Sequence, residues 1–288
     1  MICGTRGSSI LWVIRATAVF SLLLVDPASM AGARPLAAVQ ASGSLRVAVY
    51  QDFPPFAEGT RGDLRGLDVD LGAAIAERLG VKVEYMVVNA GHNVDADLRN
   101  AIWRGPVVGG AVADLMLHVP VDPRLGDGKV VIFAPYYVER LVVVTDPAQT
   151  GGDTLLDAFK NHKVAVEGDS LADLYLMGAF GGELRENVVH FLTVKEAVAA
   201  MQRGEVAGVM AQRSEIEGAL KDDRGPYRIA AMPTPGLLIT SWRPGMAVKE
   251  DARDLADALE TIADTMIRDG SLAALFAKYG LTYAPPQK

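Results

Sequence analysis

The sequence predicts an α/β protein of two lobes. Two observations lead there. Strand-like and helix-like segments alternate in two successive series, and extended apolar segments near 138–146 and 230–240 join the series. Composition agrees: with 50% apolar and 22% charged residues, 288 residues supply ample material for one or two packed cores.

The first series opens with Leu45-Arg-Val-Ala-Val49, a short β-branched run that reads as a strand. Leu67, Leu71, Ile75 and Leu79 recur at four-residue steps before Gly80, which predicts a helix over 66–80. Residues 81–88 alternate apolar and polar as a half-buried strand does, 97–103 read as helix, and 113–119 form a buried strand ended by Pro120. The second series starts with a short helix over 155–160, a strand at 163–166, a helix from Ser170 and a strand at 188–191. Thr193-Val-Lys-Glu196 is a capping box, in which the hydroxyl and the carboxyl each satisfy a free N–H at the start of a helix that ends at Gly204. A strand follows at 207–210, and Ser214-Glu-Ile-Glu217 repeats the capping pattern. Beyond Pro233 and Pro235 comes a last strand near 237–241. Leu255, Leu259, Ile262 and Met266 then mark a long amphipathic helix, with Gly270 and Gly280 as punctuation. Sheets of this kind bind ligands at the carboxyl ends of their strands, so the cleft between the lobes is the expected site.

The N-terminus reads as an export signal. Arg6 and Arg15 precede the apolar run 16–25, which is too short to span a bilayer. Asp26-Pro27 breaks the run, and Ala31-Gly32-Ala33 is a small-residue cleavage site. Cleavage there removes 33 of the 288 residues and leaves 255; Arg6, Arg15 and Asp26 go with the signal, so the formal charge moves from −7 to −8. Such an acidic chain without a basic tract is a poor match for nucleic acid or an anionic membrane. The single cysteine, Cys3, lies in the removed segment, which excludes cysteine catalysis, disulfides and thiolate zinc sites from the mature chain. A periplasmic protein without stable membrane insertion is expected, as a monomer.

Five motifs in order carry a family resemblance: Arg46-Val-Ala-Val-Tyr-Gln-Asp-Phe-Pro-Pro-Phe56 with Gly66-Leu-Asp-Val-Asp-Leu71, Ala113-Asp-Leu-Met-Leu117, Phe133-Ala-Pro-Tyr-Tyr137, Arg203-Gly-Glu-Val-Ala-Gly-Val-Met210, and Asp269-Gly-Ser-Leu272 with Lys278-Tyr-Gly280. Together they resemble the family-3 extracellular solute-binding proteins, the periplasmic receptors of polar amino acid ABC importers, over nearly all of 44–282. The resemblance implies a type II periplasmic binding protein fold with a hinge of two crossing segments. It divides the chain into a signal peptide (1–33), a leader (34–43), a first lobe of 44–142 plus 238–288, and a second lobe of 143–237. It also implies a small-molecule ligand, the membrane subunits of an importer as partner, no cofactor and no chemistry. A narrower resemblance, carried by Asp97-Leu-Arg-Asn-Ala-Ile-Trp103, His118-Val-Pro120 and Pro135-Tyr-Tyr137, is to binding-protein-like components found with methanol and other quinoprotein dehydrogenases. It implies the alternative of a non-transport periplasmic accessory to such a dehydrogenase.

Seven residues are candidates for ligand contact. Phe53 matches the family's stacking aromatic, on a loop stiffened by Pro54 and Pro55. His118 stands where the family places a small hydroxyl residue, and reads equally as a ligand contact or as a satisfied interior histidine. Arg124 lies near the family's carboxylate-clamping arginine, but two residues closer to Asp114, with Asp122 replacing the preceding threonine. Gln212 replaces the aspartate that pairs with an α-ammonium group, and Tyr50 occupies a position that is acidic in several cationic amino acid receptors. A neutral amide cannot offset a desolvated cation, so an ordinary α-amino acid is not the expected ligand.

Asp169 and Ser170 sit in Gly168-Asp-Ser-Leu171, letters shared with a family of serine esterases. That chemistry needs a base and an orienting acid downstream, whereas the one later histidine, His190, follows Asn187 at three residues. The turn reads instead as a helix start offering hydroxyl and N–H groups, with helix capping as the plainer role. Asp68 and Asp70 fall in a helix's first turn and read as structural. Asn93-x-Asp95-x-Asp97 begins like a calcium loop but lacks the glycine at position six (Leu98) and the glutamate at twelve (Arg104), so no metal site is assigned.

Overall fold

The computed structural model describes residues 34–60, 62–106, 109–221 and 223–287, together with Met1. The expected signal peptide and its cleavage site lie outside the described residues, as does Cys3.

Residues 34–43, read from sequence as a leader, instead form helix α1 (Leu36–Ser42) against the first lobe. Val39 is fully buried, and the Arg34 guanidinium grips the Asp114 carboxylate, with Nε 2.8 Å from Oδ1. Small apolar side chains at one-turn spacing suffice for a docking face, even where composition looks like a linker.

The first sheet has the order β2-β1-β3-β11-β4. Strand β1 (Ser44–Tyr50) runs parallel to β2 (Lys82–Val88) and to β3 (Leu115–Pro120). Helix α2 (Leu67–Arg78) makes the crossover between β1 and β2; α3 (Val94–Leu98), continued by a π-turn over Arg99–Trp103, leads to β3. Gly66 precedes α2 with φ 141°, and a Cβ there would overlap the Phe56 carbonyl, so only glycine fits. Strand β4 (Val130–Phe133) completes the edge.

The chain then enters a second sheet of order β10-β5-β8-β6-β7, with β9 also paired to β5. Its elements follow in sequence: β5 (Glu139–Thr145), α4 (Pro147–Thr150), α5 (Leu155–Asn161), β6 (Val164–Glu167), α6 (Leu171–Gly178), β7 (Val188–Phe191), α7 (Val194–Gln202), β8 (Gly208–Gln212), α8 (Arg213–Ala219), β9 (Arg228–Ala230) and β10 (Ser241–Trp242). Strands β6, β7 and β8 are parallel, whereas β5 opposes β8. The return is immediate: β11 (Pro244–Lys249) lies antiparallel between β3 and β4, and α9 (Arg253–Arg268) and α10 (Ser271–Lys278) cover the first sheet. Leu45, Val47, Leu71, Ile75, Leu255 and Phe276 pack in that lobe's core; Val144, Ala165, Val198 and Ile216 pack in the other's.

The parallel βα series thus stand as the periodicity predicts. The antiparallel strands β4, β5 and β11 do not follow from a βα count, because each belongs to a segment that passes between sheets and enters from the opposite side. By sheet membership the chain changes lobe at 134–138 and at Arg243, a few residues from the expected divisions at 142/143 and 237/238. Helix α8 begins before Ser214: Gln212 is its cap, and Ser214 is buried inside its first turn.

Candidate functional site

Between the two sheets lies a cleft of about 1570 Å³. Its walls come from the carboxyl ends of β1, β3, β6 and β8, its floor from the crossing segments and the C-terminal residues Ala284, Pro285 and Gln287.

On the first-lobe wall, Tyr50 and Phe53 face the cleft. The Tyr50 hydroxyl donates to Asp97 Oδ2 at 2.9 Å, and burial, followed by the Asp97 charge, holds its pKa far above the usual phenol value. Asp97 also accepts from the Gly91 N–H at 2.7 Å, Asp95 accepts from the Gly126 N–H at 2.6 Å, and Asn93 caps α3. The calcium-like triplet is therefore turned onto backbone donors; among the described residues no group of three His, Cys, Asp or Glu side chains is placed to hold a metal. Phe53 packs on Phe56 at 5.0 Å between ring centroids and edge-on to His118 at 4.9 Å, which presents its remaining face to the cleft.

His118 lines the cleft but is an interior residue, 7% exposed, with φ 64°. Nδ1 is 3.1 Å from Asp68 Oδ2 and Nε2 is 3.2 Å from the Tyr137 hydroxyl, so both ring nitrogens are occupied. The chain of contacts continues from Tyr137 to Glu139 at 3.4 Å and from Glu139 to the Ser214 hydroxyl, while Tyr136 bonds Asp68 and the His118 N–H. Asp68, read as a helix-start carboxylate, is thus one end of a buried polar chain that runs from the first lobe through the hinge into the second. Burial raises the Glu139 pKa, against the lowering effects of the Ser214 hydroxyl, the Arg140 N–H and His118.

Arg124 is not brought to the cleft. Its guanidinium forks onto Asp122, with Nε 2.9 Å from Oδ1, and remains 78% exposed; this pairing holds the Asp122 carboxyl down to about 2. Asp122, which replaces the family's threonine, closes a local turn two residues before Arg124 and uses the fork internally.

On the second-lobe wall, Ser170 lines the cleft while its oxygen accepts the Asp173 N–H at 3.2 Å as the cap of α6. Asp173 returns a bond to the Asp169 N–H at 2.9 Å and receives His190 Nε2 at 2.9 Å. Asp169 itself, with φ 59°, is not among the residues lining the cleft. Gln212 lines the cleft and caps α8.

Sequence reading missed Glu215, Arg140, Arg243 and Trp242, which reach the cleft together with Glu167. Glu167 ends β6, and Glu215 bonds back to Gln212 at the start of α8. Burial first, then the nearby Glu167 and Glu139, push the Glu215 pKa well above the ordinary carboxylate range. The signal for Glu215 was position, three residues after Gln212.

Comparisons agree with this architecture. The family model for bacterial extracellular solute-binding proteins, family 3, matches residues 45–100. No curated protein sequence matches the chain. Among solved structures, an ancestral cationic amino acid solute-binding protein superposes with TM-score 0.68 at 20% identity, covering 85% of this chain and 99% of that one. An amino acid ABC transporter substrate-binding protein from Streptococcus pneumoniae, bound to L-arginine, gives 0.60 at 19%, covering 86% and 99%. An ancestral amino acid-binding protein described as a precursor of cyclohexadienyl dehydratase gives 0.59 at 20%, covering 85% and 99%. The resemblance read from the sequence therefore holds at two levels: residues 45–100 match the family-3 solute-binding proteins, and the described chain has their two-lobe α/β periplasmic binding protein fold.

Proposed function

We propose that the protein is a periplasmic solute-binding receptor of an ABC importer, which closes its two lobes over a small polar molecule other than an ordinary α-amino acid and performs no chemistry on it. The observation that carries this reading is the cleft itself, formed where strand ends of two sheets face each other across two crossings. The first lobe comprises the 44–133 segment with the return from 244, and the second lobe the segment between them. Tyr50, Phe53, Ser170 and Gln212 are the proposed contacts from among the sequence candidates. The exclusion of α-amino acids is supported by Gln212 at the cleft wall and by Arg124 spent on Asp122. The non-enzymatic reading is supported by Ser170, which is used as a helix cap and whose hydrogen-bond partner is Asp173.

Thermal denaturation of the mature chain against amino acids, organic acids, amines, sugars and metal ions tests this. A solute at a hundred times its dissociation constant stabilises the folded state by about 2.7 kcal/mol. That corresponds to roughly 5–10 °C for a chain of this size. Failure of every class to move the midpoint would falsify the receptor reading, and micromolar binding of an α-amino acid would remove the exclusion.

The accessory reading draws support from a different observation. Leu171, Leu174, Leu192, Leu238 and Ile239, all of the second lobe, are exposed large apolar side chains, and Leu171 and Ile239 also line the cleft. Sedimentation of the protein with the periplasmic quinoprotein dehydrogenase of its own source tests it: a co-sedimenting complex supports an accessory, and independent boundaries at tens of micromolar reject one.

A further inference from the structure

The cleft floor contains a pair of cations that the fold does not use. Strand β10 opposes β5 with Ser241 across from Arg140 and Trp242 across from Glu139. Side chains alternate along a strand, and Arg243 follows Ser241 by two positions. Arg140 and Ser241 therefore stand across from each other on one face of this short ribbon, and Arg243 lies one residue beyond its end. All three line the cleft. Among the described residues, neither guanidinium has a hydrogen-bond or ion-pair partner, and both side chains are exposed to the cleft. Arg124, outside the cleft, shows the contrast, with its fork closed on Asp122.

Like charges set side by side on one face oppose folding slightly, so the pairing brings the protein no stability of its own. The backbone holds both residues in place. The Arg243 carbonyl accepts the Val121 N–H at 2.9 Å, and the Arg140 N–H donates to the buried Glu139 carboxylate at 2.8 Å. Two oriented, unspent forks with a hydroxyl between them match the planar oxygens of a carboxylate. Facing them, Glu167 and Glu215 line the second-lobe wall. Burial raises the pKa of both carboxyl groups, so they disfavour a second anionic group and offer carbonyl oxygens to hydroxyl, amide or amine hydrogens.

We propose that Arg140 and Arg243, with Ser241, form an anion clamp on the cleft floor, and that the ligand is a small monocarboxylate whose far end presents hydrogen-bond donors to Glu167 and Glu215. The inference rests on the receptor reading and deepens it. The clamp sits on the segments that cross between the lobes, so the carboxylate is held at the pivot while the far end is met by the closing wall.

The test is a thermal-shift and calorimetric series on the mature protein without a C-terminal tag. The probes are hydroxy- and amino-monocarboxylates of two to six carbons outside the α-amino acids, each paired with its neutral amide, and inorganic phosphate. The proposal requires at least one carboxylate to raise the midpoint while its amide does not. Arg140→Gln or Arg243→Gln should each weaken that carboxylate by about tenfold or more, since a hydrogen bond to a charged group is lost. The double variant should abolish the shift, and Arg124→Gln should leave it intact. Unliganded midpoints of the clamp variants should stay near wild type, because both side chains are exposed. No shift from any carboxylate, a shift that survives in the double variant, or an equal shift from phosphate overturns the proposal. A sugar or purely cationic amine that binds equally to wild type and double variant overturns the clamp and leaves the receptor reading standing. Silence from every solute class overturns both.

Discussion

Glu217 ties the end of the chain to the second lobe, and its removal has a predictable cost. It lies in α8 and is 2% exposed. Its carboxylate accepts from Arg213 Nε at 2.7 Å, from the Thr282 hydroxyl at 2.8 Å and from the Thr282 N–H at 2.6 Å. Glu217→Gln preserves the volume but turns one acceptor into an NH₂ group facing a donor. Breaking a fully buried ion pair by removing one partner costs about 3–5 kcal/mol; Arg213 is 38% exposed, which pulls this pair to the bottom of that range. The Thr282 hydroxyl can rotate to accept from the new amide, which places the expected loss at the lower end, about 3 kcal/mol. For a chain of this size that is a fall of roughly 6–12 °C in the unfolding midpoint. Scanning calorimetry at pH 7 reads it, with carboxypeptidase trimming of the C-terminus as a second readout, because release of Thr282 frees the tail. Thr282→Val removes the hydroxyl alone and should cost about 1 kcal/mol. A midpoint for Glu217→Gln within 2 °C of wild type, with unchanged trimming, would refute the reading of this contact as a strap between lobes.

Three further outcomes follow from the same structure. Gly218 of α8 approaches the first lobe so closely that a Cβ would meet Pro55 at 2.9 Å. Gly218→Ala should therefore destabilise, despite the ~1 kcal/mol that alanine normally adds to a helix interior, and urea titration gives the sign directly. Glu215, whose pKa is raised in the folded protein, favours folding fully below the ordinary glutamate range and loses that contribution as pH climbs through its raised value. Glu215→Gln should thus gain on wild type between pH 5 and pH 8 in urea-derived stabilities, and a constant difference across that span contradicts the assignment. Arg34→Ala leaves Asp114, 3% exposed, with the Arg46 N–H as its remaining partner, and should cost about 2 kcal/mol by the same method; a neutral result would return residues 34–43 to the status of a leader.

What could be read in advance was set by local rules. Four-residue apolar steps from Leu67 to Leu79 and the β-branched runs at 45–49 and 163–166 declare their elements, because each must bury one face next to its own neighbours in sequence. The Thr193 cap was equally legible: its hydroxyl accepts the Glu196 N–H at 3.1 Å, while the Glu196 carboxylate reaches back one residue further, to the Leu192 N–H at 3.2 Å. The cleft residues divide differently. Tyr50, Phe53, Ser170 and Gln212 stand at strand ends or helix starts and were found. Arg140 and Arg243 were not, because they acquire meaning only when β10 pairs with β5, a contact about a hundred residues apart in sequence. His118 was visible as a residue but not as an environment: Asp68 and Tyr137 reach it from separate elements. Arg124 misled for the opposite reason, since Asp122, two residues away, uses it first.

The course of the last residues has a practical edge for anyone preparing this protein. Tyr283 bonds the Tyr136 carbonyl, the Val138 N–H donates to the Ala284 carbonyl at 2.8 Å, and Pro285 and Gln287 then lie along the cleft. A purification handle fused at this end would follow directly on residues that line the cleft, and a run of histidines there would bring imidazoles and bound nickel close to it. Binding measured on such a fusion would report partly on the handle. Handles belong at the other end, separated by a spacer from the Arg34 clasp.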